Sequence, residues 1–284
     1  MGLFCLATAG ERDVYWVPTE LTNTIVWLDA ADTATLWADT AGTVPASSAV
    51  ARWDDKSGYD NHMLQTVSSA QPTTGSRSIS NINVLAFDGG DYLQEATNAF
   101  GAVISNAFVF LVVRQDAADD AGHGFIELSR GTVDENEDWE FMTWGWDTPN
   151  AMFRMMTGGD NNGLGLRNFT NGLQSITRMY GLYDSQADNL QQFWIDAVKK
   201  DENIFNKTVA PSAGIKVGQI HETGNYNGLM AEVVIMNGGM TTDERQILEG
   251  YLAWKWDFTS QLPSDHPYKS AAPFYRPGTV ISLK

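Results

Sequence analysis

The 284-residue chain is 43% hydrophobic and 11% aromatic, enough apolar surface for one large core, which excludes a disordered polymer. Eighteen Lys and Arg stand against 35 Asp and Glu, a formal net charge of -17 that repels phosphate backbones and anionic lipid and so argues against nucleic acid or a membrane as partner. Cys5 is the one cysteine, which excludes an intrachain disulfide.

Residues 1–20 mix apolar and charged residues without a period and end in YWVPTEL, where Pro18 disfavours helix at Val17; an extended N-terminal arm is expected. The opening MGLFCLATAG has neither a basic n-region nor a small-residue cleavage site, so export by a signal peptide is not expected. Leu6 stands where N-myristoylation needs Ser or Thr, and no apolar run approaches the ~18–20 residues of a membrane span.

From Thr24 the pattern becomes that of strands. TIVWLDA alternates and is β-branched at its start, and further strands are predicted at 50–53, 84–87, 108–114, 125–128, 140–144, 151–155, 175–183, 192–198, 215–219 and 228–236. Between them DGGD (88–91), TGGDNNG (157–163) and ETGNYNG (222–228) carry the Gly, Asn and Asp of turns. Many short strands joined in this way predict an all-β antiparallel sandwich over 21–262. Trp27, Trp53, Trp194 and Trp254 lie in patterned segments and are expected in its core.

One helix is predicted over 241–256. Thr241 and Glu244 have capping-box spacing, and Ile247, Leu248, Tyr251 and Leu252 share a face that should dock on the sandwich. Beyond it, prolines without hydrophobic period predict an extended, Pro-rich C-terminal arm over 263–284, running across the surface or onto a neighbouring subunit.

IVWLDAADTATL (25–36), VARWDDKSGYDNH (50–62) and VLAFDGGDYL (84–93) occur in that order, followed by NGLMAEVVIMNGGMTTDERQILEGYLAWKW (227–256) and LPSDHPYKSAAP (262–273). Together they resemble the concanavalin A-like lectin/glucanase, laminin-G-like domains found in phage virion and bacterial surface proteins. The resemblance spans most of 24–273; the N-terminal arm and the stretch from about 101 to 189 carry no recognisable motif. It implies a jelly-roll form of the sandwich, a fold that serves lectins, glycosidases, adhesion modules and virion proteins alike.

Candidate sites follow from local chemistry. In DDKSGYDNH, Asp54, Asp55, Asp60 and Asn61 gather hard oxygen donors that suit Ca²⁺, although Asp and Asn beside Gly are equally ordinary turn formers. Trp139, Trp144 and Trp146 are candidate platforms for stacking on a sugar ring, with burial as the competing reading. Glu135, Glu137 and Glu140 echo the alternating carboxylates of laminarinase-type glucanases, but Asn136 and Asp138 stand where a strand aiming them into a cleft needs apolar residues. A solvated acidic loop is the reading there, and no catalysis is expected. The four histidines lack zinc-site spacing, and neither a nucleophile elbow nor a phosphate-cradling loop is present.

The resemblance, the two arms and the lack of a secretion signal lead to an expected virion structural protein of a tailed phage: a capsid decoration, head fibre or tail appendage. Its partners would be other virion proteins reached through the arms, further copies of itself in a homo-oligomer, and a cell-surface glycan. The alternative is a non-viral carbohydrate-binding or adhesion module, with a glycoside hydrolase as a remote third.

Overall fold

The computed structural model describes residues 14–95, 106–116, 123–129, 139–144, 150–157, 164–170, 175–185, 188–204, 214–220 and 224–275. Among these the strands form two large antiparallel sheets, one of seven strands and one of nine. In the first, the order is Val198–Ile204, Leu190–Ile195, Thr177–Ser185, Asn106–Gln115, Asn227–Asn237 and Thr24–Asp29, with Leu85–Asp88 also paired to Asn227–Asn237. The second runs Leu164–Thr170, Asn150–Thr157, Trp139–Trp144, His123–Ser129, Gly214–Val217, Leu93–Glu95, Met63–Leu64, Arg52–Trp53 and Leu36–Trp37. The predicted antiparallel β-sandwich with one C-terminal helix is what the chain forms.

The strand Asn106–Gln115 shows why the layers stack as they do. Successive side chains of a strand point to opposite faces. Val109, Leu111 and Val113 enter the core between the sheets beside Phe125, Leu128, Ile215 and Val217. Phe108, Phe110 and Val112 belong to a second core on the far side of the same sheet, with Leu248, Leu252, Trp256, Phe258 and Leu262. A strand apolar on both faces requires a cover on both, and the helix with the segment behind it supplies the outer one.

That helix, Thr242–Lys255, starts where its cap dictates: the Thr241 hydroxyl accepts from Glu244 N–H at 3.2 Å while Glu244 Oε2 accepts from Thr241 N–H at 2.8 Å. Gly250 lets the helix approach Tyr268, whose Cβ would lie 2.5 Å from any methyl placed there.

Several sequence expectations are corrected. Trp254 is 41% exposed, and Trp256 occupies the core in its place. Positions 248, 252 and 256 follow each other at intervals of four on one helical face, whereas 254 falls away from it. Trp27 and Trp53 are buried, and Trp194 is half-buried. The strand predicted at 192–198 is two strands folded back at Asp196 and Ala197, which take φ of 50° and 65° in a two-residue hairpin. The strand predicted at 215–219 breaks at Gly218, with φ +86°, where the Phe87 ring fills the space of a Cβ. Leu164–Thr170 is a strand that no sequence signal announced.

The segments expected as arms pair with each other. Val14–Tyr15 runs antiparallel to Phe274–Tyr275, and Trp16 is buried with its ring edge-on to Tyr251 at 5.7 Å. Pro273 and His266 are buried in the C-terminal segment.

Candidate functional site

Three of the five motifs that carry the resemblance, 25–36, 50–62 and 227–256, meet in one place. Asp29 and Glu232 are directly opposite in the ladder joining their strands, and like charges so placed repel. Lys255, in the last turn of the helix, separates them electrically, with Nζ 2.6 Å from Asp29 Oδ1 and 2.8 Å from Glu232 Oε2. Lys56 binds the other oxygen of Asp29 at 2.9 Å and Asp32 at 2.9 Å, and lies over the Trp27 ring. Glu232 has no exposed surface. Its oxygens accept from Trp27 Nε1 at 2.7 Å, Tyr251 Oη at 3.0 Å and Trp256 Nε1 at 2.6 Å.

Burial works against ionisation of Asp29, but Lys255 and Lys56 outweigh it and hold the carboxyl below its usual range. Burial likewise opposes the charge on Lys56, yet Asp29 and Asp32 raise its pKa. Tyr251 is pushed well up by burial first and by the Glu232 charge second, so it stays a donor. Every member has a partner, so this cluster clasps strand, turn and helix together.

The Asp54–His62 turn hangs from the same clasp. Asp55 is buried, and its carboxylate accepts from Trp27 N–H, Ser57 N–H, Ser57 Oγ–H and Asn61 N–H at 2.6–3.1 Å, which uses the roughly four lone-pair positions of a carboxylate. Asn61 is buried and donates to Ile25 O at 2.7 Å. Asp54 accepts from Trp37 Nε1 at 2.6 Å and from Arg52 Nε at 2.5 Å. Asp60, at φ +60°, has a side chain 88% exposed. Two of the four candidate calcium donors, Asp54 and Asp55, thus accept from the protein's own N–H and O–H groups, and a third, Asn61, donates its amide to a backbone carbonyl. Among the described residues no three His, Cys, Asp or Glu side chains converge as a metal site.

Of the candidate stacking residues, Trp139 and Trp144 are the first and last positions of a strand inside the nine-stranded sheet, paired with His123–Ser129 on one side and Asn150–Thr157 on the other. Glu140 belongs to the same strand. Trp146, Glu135 and Glu137 lie outside the described residues.

A concave surface that the sequence did not suggest opens where the hairpin at Asp196–Ala197 meets the helix. It measures about 330 Å³ and is lined by Val198 and Lys199 from the hairpin, Gln246 from the helix, and Pro263, Asp265 and His266 from the segment behind. His266 is a fixed wall: Nδ1 accepts from Tyr268 N–H at 3.2 Å and Nε2 lies 3.2 Å from Glu249 Oε2, itself paired with Arg245. A hollow with this lining is only visible once the hairpin is known to turn at Ala197.

No protein-family model matches the chain, and no curated protein matches it by sequence. Solved structures do match in shape. Domain 4 of AbnA, a GH43 extracellular arabinanase from Geobacillus stearothermophilus in complex with arabinotriose, is 15% identical with a TM-score of 0.51, covering 78% of this chain and 96% of that one. A Trypanosoma rangeli sialidase in complex with sialic acid is 11% identical with a TM-score of 0.54; the match covers 82% of this chain and 33% of that one. A GH54 α-L-arabinofuranosidase is 10% identical with a TM-score of 0.53, covering 82% and 63%. The likeness is one of fold. What the three share with the chain is the outline of a β-sandwich.

Proposed function

We propose that the chain is a carbohydrate-binding module, the non-viral alternative of the sequence reading, rather than an enzyme. The observation that carries this is the match to AbnA domain 4: nearly all of that domain is covered by this chain, and that domain was solved with arabinotriose. That a sandwich of similar outline was solved with an oligosaccharide supports this reading. On this reading sugar stacking falls to one of Trp139 and Trp144, which are an odd number of positions apart in one strand of the nine-stranded sheet and so stand on opposite faces of it, or to Trp146 two residues on. A place on a virion is supported by the resemblance alone.

The test is a glycan array that includes arabinans, glucans and sialylated glycans, followed by calorimetry on the best ligand. Saturable binding is expected, weakened about tenfold or more in one of Trp139→Ala, Trp144→Ala and Trp146→Ala, the loss of one stacked ring. A blank array overturns the proposal. Hydrolysis of a bound glycan, abolished in Glu135→Gln, Glu137→Gln or Glu140→Gln, replaces it with a glycosidase.

A further inference from the structure

The 330 Å³ hollow beside the Asp196–Ala197 hairpin falls within the ~300–1,000 Å³ range of small-molecule sites. Its polar groups divide into two kinds. Lys199 is engaged by Glu202 at 2.6 Å, and Arg245, whose guanidinium lies 3.8 Å from the centre of the Trp194 ring, is engaged by Glu249. Asp265, which is exposed, and Gln246, which is half-buried, make no side-chain hydrogen bond among the described residues. The nearby cations each have a carboxylate partner, while an acceptor-only carboxylate and a two-way amide in the same lining have no side-chain partner among the described residues.

That imbalance decides the ligand class. An anion meets the unneutralised Asp265 in a chain of formal charge -17 and is repelled. A wholly apolar ligand would strip water from Asp265 and Gln246 and give nothing back. A neutral polyhydroxylated ring offers O–H donors to Asp265, both senses of hydrogen bond to Gln246, and C–H faces to Val198 and Pro263. The walls hold still for it: the His266 ring is pinned at both nitrogens and Gln246 is on a helix with a closed capping box.

We infer that this hollow is a separate subsite for one neutral sugar ring or cyclic polyol, held by Gln246 and Asp265. It goes beyond the module reading, because it lies on the helix side of the molecule and uses none of the tryptophans of the nine-stranded sheet.

Saturation-transfer NMR and calorimetry with arabinose, galactose, glucose and inositol test it, with sialic acid as the anionic arm. At least one neutral ring should bind, about tenfold more weakly in Asp265→Ala and in Gln246→Ala, the loss of one strong hydrogen bond in each. Val198→Trp, which fills the hollow from a residue already 39% exposed, should abolish binding, and unchanged melting temperatures should show all three variants folded. Whichever of Trp139→Ala, Trp144→Ala and Trp146→Ala weakens binding to the polymer should leave this binding intact, which separates the two sites; a blank glycan array with a neutral ring still bound here would sink the module reading alone. No binding by any neutral ring, equal binding in wild type and both polar variants, or preference for sialic acid overturns the inference.

Discussion

The two ends of the one helix present opposite polar chemistry. At its C-terminal turn, Tyr251, Lys255 and Trp256 close over Asp29 and Glu232, and each charge there has a partner inside the protein. Two turns earlier, Gln246 faces a hollow beside Asp265, and neither side chain has one among the described residues. Resemblance motifs run through both regions: 25–36, 50–62 and 227–256 meet in the first, while 227–256 and 262–273 supply Gln246 and Asp265 to the second. Groups that are fully partnered hold the fold, and groups left with unused hydrogen-bonding capacity are the ones available to a ligand.

The sharpest way to break this comparison is Glu232→Ala. It strands two indole N–H groups and leaves Lys255 near the buried Asp29 alone, so the loss should lie at the upper end of the ~3–5 kcal/mol for breaking a buried pair. Urea denaturation measures it, and a loss under ~1 kcal/mol would show that the clasp is not holding the layers. Next, Trp256→Ala should cost ~3–5 kcal/mol as a cavity in the second core, while Trp254→Ala should cost no more than ~1 kcal/mol, the hydrogen bond from its Nε1 to Tyr268 O. Equal losses would mean the helix is rotated about its axis.

The smallest effect concerns pH. Asp91 in the DGGD turn is pushed up to about 6, mainly by burial and further by the neighbouring Asp88. A raised carboxyl pKa makes a contribution that is full below the ordinary 3.8 and lost as the pH climbs through about 6. Asp29 has the opposite sign: its contribution is full above 3.8 and lost as the pH falls beneath it. Asp91→Asn should therefore raise the melting temperature by about 2–4 °C above neutrality and change it little near pH 4. An equal shift at both pH values would remove titration of Asp91 as the cause.

Much of the clasp was legible as pattern and none of it as chemistry. Strand periodicity located Trp27 and the capping box located the helix, because both signals are local. That Asp29, Lys56, Glu232 and Lys255 meet depends on strand order and register, which no local signal carries. The helix register was half-readable: intervals of four from Leu248 lead to Trp256, yet two tryptophans so close together compete for one place. The hollow was illegible because it depends on Ala197 adopting a left-handed turn, a conformation its side chain does not advertise. The Asp54–His62 turn was read as either calcium donors or turn formers; the four donors around Asp55 show what a buried aspartate does in such a turn.

The two-residue ladder of Val14–Tyr15 with Phe274–Tyr275 has a mechanical consequence. Val14 faces Tyr275, so the described chain enters and leaves at one point, and the ladder's outermost pair is the one nearest both ends. Tension applied through those ends loads its hydrogen bonds one after another, as a zipper does, and not side by side as in shear. The short ladder yields at low force, and the sheets behind it carry load only after it has opened.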